Sequence, residues 1–261
     1  MEAAIASPAV TGFRREQVKA VRPVLRDVSR PALACSTCHQ HALCARAGLD
    51  TEASPRLGQI PATRIRLRKG DTLFRAGDRF TALYAIRTGS CKTVMVTDDG
   101  HEQVSGYHMP GEIIGTDGIG LDVHESQAIA LEDGEVCALP FERVEALARE
   151  DVVFQRSLHR MLAGEIVRER NVMLMLGTMR AEQRLASFLL DLSHRYHARG
   201  YSSTEFLLRM TREEIGSHLG LKLETVSRLF SRFHLEGLID VHGRIIKLLD
   251  RDALHQLVLT G

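Results

Sequence analysis

The sequence predicts an α+β chain: a β-sandwich or barrel, then one long helix, then a winged helix-turn-helix. Three observations carry this prediction. Between about residues 61 and 140, short apolar runs are separated by Gly70, Gly77, Gly89, Gly100, Gly106, Gly111 and Gly115 at turn-like spacing. From Asp151 to Arg180 no proline occurs. Nearer the C-terminus, a capping signature, a glycine and a second helix with one apolar side follow in close succession. The divisions fall at 1–30 for a mobile leader, 31–150 for the segment holding the β domain, 151–180 for the long helix, and 181–261 for the winged domain.

Length and composition exclude several classes. With 261 residues and 44% apolar content, two modest domains can each build a core. The 34 Lys and Arg against 33 Asp and Glu leave a net charge of +1, so contact with nucleic acid must be local and not a matter of bulk charge. No run of eighteen apolar residues occurs, and the first thirty lack a signal-peptide stretch, so the reading is a soluble, cytoplasmic chain with no membrane partner. Five cysteines are odd in number and too sparse for a secreted disulfide scaffold.

The leader mixes Ala and Pro with Arg14, Arg15, Lys19, Arg22, Arg26 and Arg30, without sustained periodicity. In the β segment, Thr63 to Arg68 alternates Ile65 and Leu67 with Arg, and Leu83 to Ile86 and Val94 to Val96 are further strand-like runs. The long helix spans about 45 Å at about 1.5 Å per residue. Its seam, Leu162, Ile166, Glu169, Met173 and Leu176, advances by four, three, four and three, the step of two helices packed side by side. This reads as a homodimer helix with a carboxylate set into its seam. The alternative is a helix that caps its own β domain and points Glu169 at water.

In the last eighty residues, Thr211-Arg212-Glu213-Glu214 forms a capping box that opens a short helix through Ile215 and Leu219. Gly220 makes the turn. A second helix, Leu223 to about Leu235, buries Val226, Leu229, Phe230 and Phe233. His242-Gly243 then joins two β-prone segments, Leu238 to Val241 and Arg244 to Leu249, as a wing does. Such a unit binds double-stranded DNA by placing its second helix in the major groove. Glu224, Ser227 and Arg228 lie at i, i+3 and i+4 near the start of that helix. They offer an acceptor for cytosine N4, a hydroxyl, and a fork suited to guanine O6 and N7. The competing reading is a solvated face with an intrahelical Glu224–Arg228 pair. Residues 180 to 261 carry 12 Lys and Arg against 10 Asp and Glu, an excess too small to argue from charge alone.

Cys35, Cys38 and Cys44 form C-x-x-C-x5-C, a spacing that lets three thiolates converge on one metal or cluster. Cys137, Cys91, His39 and His41 are the available fourth ligands. Zinc, a disulfide pair and inert buried thiols stay open at this point.

Taken together, Cys35-Ser-Thr-Cys38-His-Gln-His-Ala-Leu-Cys44, Leu83-Tyr-Ala-Ile-Arg-Thr-Gly, Gly111-Glu-Ile-Ile-Gly-Thr-Asp, Val136-Cys137-Ala-Leu-Pro-Phe-Glu and Gly220-Leu-Lys-Leu-Glu-Thr-Val-Ser-Arg228 resemble the oxygen-sensing FNR proteins of the CRP/FNR regulator group. The likeness runs from about residue 33 to the C-terminus. It implies a cyclic-nucleotide-binding-like β-roll ahead of the dimerisation helix, and a [4Fe-4S] cluster on Cys35, Cys38, Cys44 and Cys137, with Cys91 spare. In such proteins the cluster favours a homodimer that binds palindromic TTGAT-like half-sites, and oxygen converts it to a [2Fe-2S] form that lets the dimer separate. The resemblance further implies DNA recognition by Glu224, Ser227 and Arg228, shielding of the cluster by Leu43, and RNA polymerase as a partner, with the turn from Thr97 to His101 as a contact. Activation and repression are both open to such regulators, and none is an enzyme.

Two departures matter. Cyclic-AMP receptors of the same group hold the phosphate with an Arg shortly after the Gly-Glu turn. Here Gly111-Glu112 is followed by His124-Glu125-Ser126-Gln127-Ala128, without an Arg in that segment, so no cyclic nucleotide is expected. Lys222 stands where relatives commonly place a Thr cap. A Lys accepts no backbone N–H bond and opposes the helix dipole, which suggests a DNA phosphate as its counterpart.

Overall fold

In a computed structural model, the structure describes residues 33–34, 60–97 and 100–260. The leader 1–30 and the positions Cys35, Cys38, Leu43 and Cys44 lie outside the described residues.

The β domain is a sandwich of two antiparallel sheets. One runs β1 (Leu33–Ala34), β2 (Pro61–Leu67), β9 (Gly134–Pro140), β4 (Ala82–Thr88) and β7 (Ile113–Ile114); the other runs β3 (Thr72–Phe74), β8 (Gln127–Ala130), β5 (Cys91–Val96) and β6 (Glu102–His108). Period-two alternation decides which side chains face inward. Leu67, Ile86, Ile114 and Val136 from the first sheet meet Phe74, Cys91, Ala128 and Ala130 from the second. The opposite face of the first sheet, with Ala62, Leu83, Ala85 and Leu139, is covered by α1 (Phe141–Glu150) and by Phe154, Leu158 and Met161 of α2 (Val152–Thr178).

Helix α2 matches the predicted proline-free span and is capped by Asp151, whose side chain accepts from the N–H groups of Val153 and Phe154. After it come α3 (Ala181–Ala198), β10 (Glu205–Leu207), α4 (Arg212–Leu219), α5 (Leu223–Leu235), β11 (Ile239–His242), β12 (Ile245–Leu248) and α6 (Arg251–Leu259). The wing has three strands in the order β10-β12-β11, one more than the sequence reading gave. Helices α1 and α6 were also unforeseen. A third core binds α3, the helix-turn-helix and Met175 of α2 to Val94, Val104 and Tyr107 of the β5–β6 hairpin, so the β domain and the winged domain share packed side chains.

Candidate nucleic-acid interface and cysteine centre

The capping box at Thr211 closes as expected. The Glu214 N–H donates to Thr211 Oγ1 at 3.1 Å, and the Thr211 N–H donates back to Glu214 Oε2 at 2.6 Å. Gly220 then takes a left-handed φ of 63°, which a glycine adopts without strain. At Gly216 a Cβ would stand 2.6 Å from the Leu221 carbonyl oxygen, so only glycine lets α4 and the turn approach this closely.

Helix α5 buries Val226, Leu229, Phe230 and Phe233 and leaves Glu224, Ser227 and Arg228 exposed on one face of its first turns. Further along this helix, Arg232 pairs with Glu236 and Glu182, and His234 meets Asp240 at 3.4 Å. Among the described residues no salt bridge joins Glu224 to Arg228, so both reach solvent unspent. Lys222 occupies the N-cap with no side-chain cap bond, and its own carbonyl accepts from Val226. The Arg212 guanidinium lies 3.2 Å from the centre of the Phe230 ring, a cation–π contact that ties α4 to the buried side of α5.

Helix α4 is also docked on the β5–β6 hairpin. Lys92 Nζ pairs with Glu214 at 2.8 Å, the Val104 N–H donates to Ser217 Oγ at 2.9 Å, and His218 Nδ1 meets the Val104 carbonyl at 3.2 Å. Burial pushes Glu214 up, but Lys92 and Thr211 outweigh it and hold its carboxyl below the usual range. Beside this contact, Glu112 is buried in the turn after β6. Its carboxylate accepts from Arg195 at 2.8 and 3.2 Å, from Arg199, and from the Met109 N–H at 3.1 Å, with Arg168 of α2 at 3.5 Å. Sequence reasoning missed this cluster. Its signal was Arg195 and Arg199 four apart on one helix face; Glu112, in a Pro-Gly-Glu turn, reads as a solvent residue.

The five seam positions of α2 divide. Ile166 and Met173 are 50% and 72% exposed, and Glu169 is exposed between them. Leu162 and Leu176 are half-buried against the cores at either end of the helix. Val167 and Leu174, at 54% and 58%, widen the uncovered apolar strip.

The segment from His124 to Ser126 is tied to one carboxylate. Asp117 accepts from the Glu125 N–H at 3.1 Å, the Ser126 N–H at 2.8 Å and the Ser126 hydroxyl at 2.7 Å, and pairs with His124 Nδ1 at 3.1 Å.

Cys137 sits in the middle of β9, opposite Arg64 on β2 and Ala85 on β4. It is half-buried against the core formed with α1 and the first turns of α2. Cys91 faces the sandwich interior, where burial, and secondarily Glu132, push its thiol up to about 12. A metal-ligating sulfur must be a thiolate, and burial works against that state at Cys91. β1, which pairs with β2, ends at Ala34, one residue before the cysteine triplet in the sequence. Among the described residues no group of three potential ligands gathers; three of the four predicted ligands lie outside them. The donor that is described fits: a soft ligand, half-buried, on a rigid central strand.

A β-sandwich domain, a long connecting helix and a winged helix-turn-helix with an unspent polar face define a DNA-binding transcription regulator. Comparison with known proteins bears this out. Residues 183–257 match the Crp-like helix-turn-helix domain and residues 64–151 the cyclic nucleotide-binding domain. The chain is 44% identical over 231 residues to the transcriptional regulatory protein btr of Bordetella pertussis, covering 88% of this chain and 96% of that one. It is 40% identical over 226 residues to the fumarate and nitrate reduction regulatory protein of Escherichia coli, covering 87% and 90%. The solved structure of FixK2 from Bradyrhizobium japonicum superposes with a TM-score of 0.70 at 33% identity, covering 75% of this chain and 96% of that one. The chain belongs to the CRP/FNR family of transcription regulators, on the FNR/Anr side of it, and its relatives are not enzymes. No described helix is long and apolar enough to cross a membrane.

Proposed function

We propose that this regulator responds to oxygen through a [4Fe-4S] cluster held by Cys35, Cys38, Cys44 and Cys137, pairs as a homodimer along α2, and binds palindromic TTGAT-like sites in the cytoplasm. The observation that carries the reading is the position of Cys137. Cys137 packs against the cluster that also holds Phe154, Leu158 and Met161 of α2, so the sulfur and the N-terminal turns of the association helix border one core. When bound, such a cluster supplies an oxygen-reactive iron–sulfide core. The protein's part is mechanical. Residues that hold a group only in the associating arrangement link its retention to association by mass action.

In the dimer, Ile166 and Met173 cover one another's apolar surface while the two Glu169 carboxylates repel and lose hydration. Association is therefore set close to balance. Each protomer then presents Glu224, Ser227 and Arg228 to one half-site, with Lys222 against a phosphate. Leu43 would shield the cluster, and the turn from Thr97 to His101 at the tip of the β5–β6 hairpin would contact RNA polymerase, giving activation at some promoters and repression at others. Cyclic nucleotide control is not part of this reading, because the segment His124 to Ala128 after the Gly-Glu turn holds no Arg.

Anaerobic purification tests it. Brown protein with about four iron and four sulfide per chain supports the reading; colourless protein with about one zinc replaces it with a zinc-based redox module.

A further inference from the structure

Arg184, in the first turns of α3, donates to three carbonyls. Its Nε reaches the Met179 oxygen at 2.9 Å, Nη2 the Leu176 oxygen at 2.8 Å, and Nη1 the Leu219 oxygen at 2.9 Å. Leu176 lies in the last turn of α2, Met179 caps it, and Leu219 ends α4. Helix ends leave such carbonyls without intrahelical partners, and here one guanidinium answers for two helices at once. A Cβ placed on Gly220 would stand 3.2 Å from Arg184 Nη1 and 3.3 Å from Leu176 Cδ2. A seam residue of the association helix therefore rests on the turn that launches the recognition helix, and Arg184 pins both.

We infer that Arg184 is a positioning residue which fixes the angle between the association helix and the helix-turn-helix, and so sets the half-site spacing that a dimer accepts. The planar fork explains why Arg serves: three donors diverge in one plane toward three acceptors, whereas a Lys ammonium is a point charge on a flexible stem. The apolar core alone constrains this junction less, since packed side chains tolerate small rotations that three directed bonds do not.

The inference rests on the dimeric reading above. A change of one base pair in spacing rotates one half-site by roughly 35° and moves it about 3.4 Å, a displacement a pinned domain cannot follow.

The test measures binding of the full chain, prepared without air, to inverted TTGAT-like repeats at the preferred spacing and at one base pair more and less. The wild type should prefer one spacing by at least about tenfold. In Arg184→Gln that ratio should narrow at least about threefold, with base preference inside each half-site unchanged, and Arg184→Lys should recover part of it. A general loss of folding lowers binding to all spacings together and leaves the ratio alone. Should Arg184→Gln not fold, Arg184→Lys, which keeps the charge without the planar fork, carries the test and should also narrow the ratio. A wild-type ratio in the folded variants overturns the inference. A wild type without spacing preference overturns the dimeric reading, and the inference with it.

Discussion

Glu112 Oε2 lies 2.8 Å from Nη2 of Arg195, joining the turn after β6 to helix α3 of the winged domain. Burial alone would raise this carboxyl, yet Arg195, Arg168 and Arg199 outweigh it and hold it at about 2. A depressed carboxylate stabilises the fold above its unfolded value of about 4.3 and loses that contribution as pH falls toward the folded value. Interdomain docking should therefore be at full strength above about pH 5, weaken progressively below about pH 4 and be lost only as pH approaches about 2. Glu112→Gln leaves three guanidiniums facing a neutral amide and should cost about 3 to 5 kcal/mol at neutral pH. Denaturant titration from pH 7 to pH 3 checks both: the variant should lose the steep acid limb of the wild type.

Glu169 is exposed between Ile166 and Met173, while its neighbour Arg168 is taken by Glu165 at 3.3 Å and Glu112 at 3.5 Å. With that cation engaged elsewhere, paired Glu169 side chains should repel. Glu169→Ala is expected to raise the dimer fraction of cluster-free protein in sedimentation velocity. An unchanged monomer fraction would remove Glu169 from the account.

Arg228 and Lys222 should separate by their response to sequence and salt. Arg228→Ala is expected to cost roughly 1 to 3 kcal/mol and to relax preference at one base pair of each half-site. Lys222→Ala should weaken binding alike on all sequences and flatten its salt dependence. Operator titrations over a series of salt concentrations read both effects, and a uniform loss from Arg228→Ala would make it a phosphate contact.

The two cysteines of the β domain differ in surroundings and should differ in consequence. Cys137→Ser should abolish iron retention after anaerobic purification. Cys91→Ser, at a buried site that holds its thiol protonated, should keep it. Equal iron loss from both would reject Cys137 as the fourth ligand.

Local signals carried much of this molecule. The capping box at Thr211, the glycine turn and the apolar side of α5 are written within a few residues of one another, and Leu223–Leu235 coincides with the expected helix. The proline-free span became α2. What escaped depends on long-range partners. Strand β10 exists because β12 offers it an edge 40 residues on, in the Phe206–Ile246 register, and no local pattern announces that. Glu112 and Arg184 act through residues distant in sequence or through backbone carbonyls, which leave no mark in residue type. The expected seam is a period in residue type, and the way Leu162 and Leu176 turn partly into their own chain's cores was not legible in it.

The measurement closest to the central claim is operator binding by anaerobically reconstituted protein before and after a measured dose of air, with iron content and sedimentation followed on the same sample. Tight binding to the palindrome by an iron-loaded dimer, lost together with dimerisation on exposure to air, is the expected result. Iron-free protein that pairs and holds the operator undiminished, in air or without it, would contradict the account.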